Sequence, residues 1–375
     1  MRGAAVTIVH TVRNDLKLRQ TEHPGPASYW LSCYPALAMS KYSIGVDLGG
    51  TNLRIAAIDE SGKLLEKITL GTQVALGRDR VVHDMCDAIQ RMEATFRGSG
   101  QLVGIGIGVP GIIDMDTGMV RTSPNLPDWA NYPVLTEIEG RLGTRVILEN
   151  DANSAAFGEH WLGAAKDRPD MAMLTLGTGV GGGLVMGGRI WHGMTGMAGE
   201  FGHQTVEPEG APCGCGNRGC LESYASATAV VRMAREAIAE GAQGLARAAS
   251  DDPEFSAKAI YNLAIQGDED ARRIFRRVGR SLGIALANLV NALNLPMYVI
   301  GGGVSSAWEA FAPSIFQELW ERSMVYAATS PEHSNGKGAS AKVSSMGAKK
   351  TIVTRALLGS DAGLFGAARL PLVHH

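Results

Sequence analysis

Three glycine-rich turns, each placed directly after an apolar run, constrain this 375-residue chain more than any other feature. They are Asp47-Leu-Gly49-Gly50-Thr51, Gly177-Thr178-Gly179 and Gly301-Gly302-Gly303. Glycines at the end of a strand let backbone N–H groups approach an anion. Taken alone, the first turn is more typical of a tight hairpin. Three such turns together favour a bound nucleoside triphosphate, with two turns at the phosphates and one beside the adenosine.

Apolar strands and helical periods alternate along the chain, which predicts an α/β fold. A first unit has predicted strands at 41–46, 53–58, 63–70, 102–109 and 145–148, with helices at 80–96, at 134–142 and from 151 onward. A second unit has strands at 172–176, 180–186, 189–191 and 297–300, a long helix at 268–295 and a terminal helix at 361–370. The residues 330–350 read as a loop around one short strand. Two similar units of this kind could face a common cleft.

Two familiar nucleotide-binding motifs are missing from these turns. The first turn lacks the G-x-x-x-x-G-K-[ST] pattern of a P-loop. No G-x-G-x-x-G opens a helix after it, as a dinucleotide-binding fold would require. The phosphate site predicted here is therefore of another type.

The charge balance points to a small-molecule partner. Lys and Arg number 35 against 37 Asp and Glu, so the net charge of -2 provides no field to hold nucleic acid or an anionic membrane. No apolar run reaches the roughly 18 residues that cross a bilayer. We therefore expect a cytoplasmic protein with no nucleic-acid or membrane partner.

Residues 1–40 are predicted to be a poorly ordered N-terminal extension. They lack a clear apolar period before the first strand. A secretory leader is the alternative, because Ala36-Leu37-Ala38 resembles a cleavage site, but Pro35 interrupts the apolar segment before it. Met39 is an equally good natural start.

Five cysteines, three of them within eight residues, fit a reduced compartment and a metal site better than a disulfide framework. The pattern His203-x9-Cys213-x-Cys215-x4-Cys220 supplies one imidazole and three thiolates. Four such ligands close a tetrahedral shell, so structural Zn²⁺ is favoured over catalytic zinc, which keeps a position open for water. The alternative is a glycine loop with three free thiols.

Carboxylates accompany these motifs. Asp151 follows a predicted strand and starts a helix, so it suits an N-cap, and the same carboxylate can accept a proton from an alcohol that attacks a phosphoryl group. Glu200 and Glu222 flank the metal motif. If a metal orders that loop, both become rigid hydrogen-bond acceptors for a polyhydroxylated ligand; without it they are ordinary surface glutamates.

Four motifs together resemble the ROK family, whose name covers repressors, open reading frames and sugar kinases. They are Asp47-Leu-Gly-Gly-Thr51, Glu149-Asn-Asp-Ala-Asn153, Gly199-Glu-Phe-Gly-His203 and Cys213-Gly-Cys-Gly-Asn-Arg-Gly-Cys-Leu-Glu222. The resemblance spans roughly residues 41–368. It implies an actin-like ATPase (ribonuclease H-like) fold of two lobes, with a sugar and ATP in the cleft and a zinc-binding loop at 203–220. We expect a small lobe of residues 41–153 plus 361–375 and a large lobe of residues 154–360.

The resemblance also implies roles for residues at matching motif positions. Asp151 resembles the general base, and His203 would use one ring nitrogen for zinc and the other for the sugar. Asp47 resembles a carboxylate associated with Mg²⁺ through water. The implied sugar ligands are Asn125, Asn150, Asp151, Glu200, His203 and Glu222, with the Pro110-Gly111 turn nearby. The implied nucleotide positions are Asp47, Gly49, Gly50, Thr51, Asn52, Gly177, Thr178 and Gly179 near the phosphates, and Gly302 and Gly303 near the adenosine.

These implications favour an ATP-dependent hexokinase of the glucokinase type that acts as a homodimer. Kinases for fructose, mannose, N-acetylglucosamine or N-acetylmannosamine stay open, since one pocket side chain can change the preferred sugar. A sugar-responsive transcriptional repressor is the alternative from another class. Against it, the first 40 residues show no paired amphipathic helices and no basic cluster.

Overall fold

The computed structural model describes residues 40–251, 255–330 and 349–373. Almost all of the N-terminal extension and most of the predicted loop at 330–350 lie outside the described residues. The described residues form two five-stranded sheets, a two-stranded hairpin and eleven α-helices, with strands and helices interspersed along the chain. The predicted α/β class is confirmed.

The first sheet has the strand order β3-β2-β1-β4-β7. Its strands are β1 Ser40–Leu48, β2 Asn52–Asp59, β3 Leu64–Gly71, β4 Gly100–Val109 and β7 Ile147–Asn150. The first three form an antiparallel meander, and β1, β4 and β7 run parallel. A small separate hairpin, β5 Ile112–Asp114 with β6 Met119–Thr122, follows β4.

The second sheet repeats this topology with the order β10-β9-β8-β11-β12. Its strands are β8 Met171–Leu176, β9 Val180–Met186, β10 Arg189–Ile190, β11 Met297–Gly301 and β12 Ile352–Arg355. Again an antiparallel meander is extended by parallel strands, because β11 pairs with both β8 and β12 in parallel. The expectation of two similar hairpin units is confirmed at the level of sheet topology. The division at residues 153 and 361 stays a prediction.

The helices pack against the two sheets, and buried side chains of both helices and strands form the hydrophobic cores. Their bounds are α1 Arg78–Phe96, α2 Val134–Leu142, α3 Asp151–Trp161, α4 Glu222–Ala225, α5 Ala227–Ala239, α6 Gln243–Asp251, α7 Ala257–Gln266, α8 Glu269–Leu293, α9 Trp308–Arg322, α10 Met324–Thr329 and α11 Ala362–Val373. The long helix α8 starts where Asp268 accepts a hydrogen bond from the Ala271 N–H at 2.9 Å. It ends at Leu293, where the next residue, Asn294, adopts a left-handed φ of 49° two residues before Pro296.

Helices α3 and α11 pack between the two sheets, and glycines permit their close approach. A methyl group on Gly366 of α11 would lie 1.6 Å from the carbonyl oxygen of Ser154 in α3. One on Gly106 of β4 would lie 1.9 Å from the carbonyl oxygen of Ala367. Some of the 48 glycines in this chain therefore serve backbone packing rather than ligand binding.

Candidate active site

Parallel pairing brings several of the predicted residues to one edge of the first sheet. Asp47 near the end of β1 is opposite Gly108 of β4, and Val109 is opposite Asn150 at the end of β7. Because parallel strands end at the same edge, the Asp47 turn, the Pro110-Gly111 turn and Asn150-Asp151 meet there.

Asn150, not Asp151, caps helix α3, which corrects the sequence-based assignment of the cap. The Oδ1 atom of Asn150 accepts hydrogen bonds from the backbone N–H groups of Ala152 at 2.9 Å and Asn153 at 3.1 Å. Its Nδ2 donates to the carbonyl oxygen of Gly111 at 3.0 Å. Asp151 is the first helical residue, and its Oδ1 also accepts from the Ala152 N–H, at 2.9 Å.

The N-terminus of α3 lies between the ends of two strands from different sheets. A methyl group on Gly108 of β4 would lie 3.6 Å from the Cα of Asp151. One on Gly181 of β9 would lie 3.0 Å from the Cβ of Ala152. The start of α3 is therefore held between β4, whose Gly108 is opposite Asp47, and β9, which begins directly after the second glycine turn.

The environment of Asp151 suits a base that works near neutral pH. Its pKa is raised to about 7, mainly by burial and also by the negative charges of Asp47 and Glu200, while hydrogen bonds from backbone N–H groups such as that of Ala152 act in the opposite direction. The carboxylates of three separate chain segments thus interact in one place. A carboxylate with such a pKa is a stronger base than an exposed aspartate.

Asp47 is paired with a cation across the hairpin. Its Oδ2 lies 2.9 Å from the Nη1 of Arg54, the residue opposite it on β2. Burial raises the pKa of Asp47, and the Arg54 guanidinium counteracts that shift. The Oδ1 atom would lie 3.0 Å from a methyl group on Gly363, so it faces the first turn of α11.

The first glycine turn is closed by backbone bonds and lies against Asn125. The Gly49 N–H donates to the carbonyl oxygen of Asn52 at 2.9 Å. A methyl group on Gly50 would lie 3.2 Å from the Cβ of Asn125, so these two predicted site residues are neighbours. Thr51 and Asn125 are both exposed to solvent.

The second glycine turn is anchored from outside its hairpin. The carbonyl oxygen of Gly177 accepts from the Ala227 N–H, and that of Thr178 accepts from the Thr228 hydroxyl, both at 2.8 Å. The start of α5 therefore holds the turn, while the Thr178 side chain remains exposed.

The third glycine turn lies beside the second, because β11 pairs in parallel with β8. Gly302 has a φ of +82°, and a methyl group there would lie 2.5 Å from the backbone of Leu176. A methyl group on Gly303 would meet no atom within 4 Å, so this residue borders open space. Position 302 therefore requires glycine, both for its backbone conformation and for its contact with Leu176. The absence of a side chain at Gly303 leaves room for a ligand.

The four predicted metal ligands converge. Single ligand atoms of His203, Cys213, Cys215 and Cys220 all lie within 4.8 Å of one another. The Sγ of Cys213 is 3.6 Å from the Nδ1 of His203, and the Sγ atoms of Cys215 and Cys220 are 3.7 Å apart. Zn–S bonds of about 2.3 Å give a tetrahedron with edges of about 3.8 Å. The donor set and its spacing therefore fit Zn²⁺.

The outer nitrogen of His203 faces a carboxylate. Its Nε2 lies 3.8 Å from the Oε2 of Glu200, which is exposed. With Nδ1 directed to the cysteine cluster, Nε2 is left for a ligand in the space near Glu200. This arrangement is compatible with the two roles predicted for His203.

The family model described as "ROK family" matches residues 43–372. The chain belongs to the ROK family. Glucokinase from Halalkalibacterium halodurans is 38% identical over 333 residues, which cover 88% of this chain and 94% of that protein. Glucokinase from Thermotoga maritima is 41% identical over 288 residues, covering 76% and 87%.

A solved ROK structure gives the same result for the fold. The ROK family glucokinase from Streptomyces griseus, in complex with glucose and AMPPNP, is 33% identical, with a TM-score of 0.69 over 88% of this chain and 98% of that one. The actin-like ATPase fold expected for a ROK protein is thereby confirmed.

One partly buried histidine–carboxylate pair of this ROK protein was not predicted from the sequence. The Oε2 atom of Glu149 lies 2.6 Å from the Nε2 of His192, and Glu149 is 2% exposed. The residues are 43 positions apart, so only the fold joins them. A glutamate at the end of a strand, directly before Asn150-Asp151, was the available signal.

A cavity of about 700 Å³ next to the second turn was also missed. It borders Thr178, and its walls come mainly from α5 and from the segment before α7. The lining residues are Thr178, Ala227, Thr228, Val231, Arg232, Arg235, Glu236, Ala239, Phe255, Ser256 and Ala257.

No helix within the described ranges has both the length and the apolar character needed to span a bilayer.

Proposed function

We propose that this ROK protein is a glucokinase that transfers the γ-phosphoryl group of ATP to glucose and forms glucose 6-phosphate. The observation that carries the proposal is the position of Asp151 at the start of α3, between Gly108 of β4 and Gly181 of β9, where the negative charges of Asp47 and Glu200 act on it. The glucokinase names of the relatives and the glucose and AMPPNP of the solved complex support the same reaction.

ATP would bind along the glycine turns. The phosphates would contact the first turn, from Gly49 to Asn52, and the second, from Gly177 to Gly179. The adenosine would lie beside Gly302 and Gly303, and the 700 Å³ cavity bordered by Thr178 is large enough for an aromatic base. Asp47 would help to hold the Mg²⁺ that accompanies ATP, and this ion would offset negative charge on the phosphates.

Glucose would be held by side chains with unused hydrogen-bonding capacity. A side-chain amide carries two N–H donors, and the Nδ2 of Asn150 makes one bond, to the Gly111 carbonyl oxygen. Glu222 uses Oε2 for the Val180 N–H at 2.9 Å, which leaves Oε1 for a sugar hydroxyl. Asn125, Glu200 and the Nε2 of His203 complete the set.

Zn²⁺ would be held by His203, Cys213, Cys215 and Cys220, and its contribution would be to order the loop between them. Glu222 follows Cys220 by two residues, so an ordered loop also fixes this acceptor. His203 would keep its imidazole in the tautomer that presents Nε2 to the sugar.

Asp151 would act as the general base in the transfer step. It accepts the proton of the attacking glucose hydroxyl as the new O–P bond forms and the bond to the leaving ADP breaks. The other site residues align the hydroxyl with the γ-phosphorus, and this alignment is expected to supply most of the rate. We further propose that the protein is a cytoplasmic homodimer without nucleic-acid or membrane partners.

An ADP-release assay over a panel of sugars tests the function. Glucose should give the highest kcat/KM among glucose, fructose, mannose, N-acetylglucosamine and N-acetylmannosamine. Preference for another sugar on this panel would correct the substrate but keep the kinase. Absence of ADP release with every sugar, together with sequence-specific DNA binding, would replace the kinase by the repressor alternative.

A further inference from the structure

The buried carboxylate of Glu149 joins two parts of the proposed sugar site. Its Oε1 accepts hydrogen bonds from the Asn150 backbone N–H at 2.8 Å and from the Nδ2 of Asn153 at 3.0 Å. Its Oε2 contacts the Nε2 of His192 at 2.6 Å. Glu149 therefore supports Asn150, directly before Asp151, and Asn153, two residues after it. On its other side it binds the imidazole of His192, which follows the last residue of β10 by two positions.

His192 is the first residue of a closed loop that leads to the sugar ligands. Its carbonyl oxygen accepts the Ala198 N–H at 3.1 Å, so residues 192–198 form a loop with a narrow neck. Glu200 follows Ala198 by two residues, and His203 follows by five. Any movement of His192 therefore shifts the start of the segment that carries Glu200 and His203.

The bond between the two side chains has the properties of a charge-assisted pair. The hydrogen bond to Glu149 raises the pKa of His192 above its ordinary 6.5, although burial of the imidazole acts against that shift. Bonds between a protonated imidazole and a carboxylate are roughly twice as strong as neutral ones. The Glu149 side chain is 3% exposed and that of His192 is 33% exposed, so the carboxylate of the pair is the more deeply buried partner.

We propose that His192 is a positioning residue for phosphoryl transfer: its bond to Glu149 fixes loop 192–198 so that Glu200 and His203 face Asp151. This inference rests on the proposed function, because it assigns Glu200 and His203 to the sugar. His192 acts through Glu149 and the loop and does not contact the reacting atoms. The pair couples the base of the reaction to the residues that hold the acceptor.

The test compares His192→Leu with His192→Gln. Leucine fills similar volume but cannot donate to Glu149, whereas the glutamine amide can reach the carboxylate with an N–H. We expect the KM for glucose to rise about tenfold or more in His192→Leu, the effect of losing one charged hydrogen bond, while the KM for ATP changes less than about twofold. His192→Gln should recover most of the loss.

The control is His83→Leu, which removes another histidine–carboxylate pair. His83 and Asp87 lie on the exposed side of α1, 3.4 Å apart, and both side chains are about half exposed. This variant should keep the wild-type KM for glucose. Unchanged glucose KM in His192→Leu, or equal damage in both His192 variants, would overturn the proposal, because a purely structural role lowers stability without a selective change in sugar binding.

A second measurement does not depend on the substrate. Amide hydrogen exchange of residues 192–203 should be faster in His192→Leu than in the wild type, and near the wild-type rate in His192→Gln. Equal exchange in all three proteins would contradict the inference. If the wild type releases no ADP with glucose, the proposed function fails, whereas the exchange comparison still decides whether this pair orders the loop.

Discussion

Glu222 accepts a hydrogen bond from the Val180 backbone N–H at 2.9 Å, and its other oxygen lies 3.9 Å from the Sγ of Cys213. The same side chain thus touches the second glycine turn and the metal-binding loop. A carboxylate in this position can connect the order of the loop to the shape of the proposed phosphate site.

Replacement of Glu222 by alanine should therefore weaken the binding of both substrates. The sugar loses an acceptor and the Val180 N–H loses its partner, so we expect the KM values for glucose and for ATP each to rise about tenfold or more. Glu222→Gln keeps an amide oxygen for Val180 and should preserve the KM for ATP. Steady-state kinetics with each substrate varied in turn would contradict this account if Glu222→Ala changed the glucose KM alone.

The raised pKa of Asp151 predicts how activity depends on pH. The base must be ionised, so kcat/KM for glucose should rise about tenfold per pH unit up to the folded pKa near 7 and then level off. A pH–rate profile measures this limb. A profile that is already flat below pH 6 would show that Asp151 titrates like an ordinary carboxylate.

The same pKa shift predicts that folding stability falls with rising pH, whereas activity rises. Between the ordinary value of 3.8 and the folded value of about 7, the folded chain retains a proton that the unfolded chain has released. The favourable contribution is therefore complete below pH 3.8 and is lost as the pH rises through 7. Asp151→Asn cannot ionise, so its Tm should exceed that of the wild type above pH 7 and approach it in acid. A lower Tm for the variant above pH 7 would contradict this.

Metal analysis should find about one zinc ion per chain, as expected for a closed four-ligand site. Cys215 is the exposed ligand, so Cys215→Ser should lower the zinc content and raise the KM for glucose with little change in the α/β core. Cys86 is buried in α1 outside the cluster, and Cys86→Ala is the matched control that should keep the zinc. An active, zinc-free wild-type protein would remove the metal from the account.

The close contact between α3 and α11 can be tested with two glycine substitutions. Gly366→Ala places a methyl group 1.6 Å from the Ser154 carbonyl oxygen, so the helices must separate. We expect a loss of about 1–3 kcal/mol in the free energy of unfolding. Gly140→Ala in α2 meets no atom within 4 Å and should stabilise the chain by about 0.5–1 kcal/mol. Urea unfolding of both variants checks the prediction, and equal stability of the two would refute it.

The sequence was sufficient for the elements with strong periodic patterns. The α/β class, the paired hairpins and helix Val134–Leu142 are where the apolar spacing predicted them. Helices α5 to α7, α9 and the β5–β6 hairpin were not predicted. In α9, Pro313 lies inside the helix and obscures the signal, because proline usually marks a helix boundary.

The candidate site was predictable in its residue types and less so in its connections. Asn150 and Asp151 are adjacent and both residue types cap helices well, so only the hydrogen bonds that the Asn150 Oδ1 accepts from Ala152 and Asn153 identify the cap. The convergence of His203 with the three cysteines followed from their spacing. The contact of Glu149 with His192 did not, because it depends on how α3 and the two sheets pack.

Removal of the Asp151 carboxylate measures the central claim most directly. Asp151→Asn should reduce ADP release with saturating glucose by about 10²–10⁴-fold, the usual contribution of a general base, while glucose binding measured by calorimetry remains detectable. Asp79→Asn, the same change at an exposed site in the first turn of α1, should keep wild-type turnover. Near-normal turnover in Asp151→Asn would contradict the assignment of this residue as the base and, with it, the proposed mechanism.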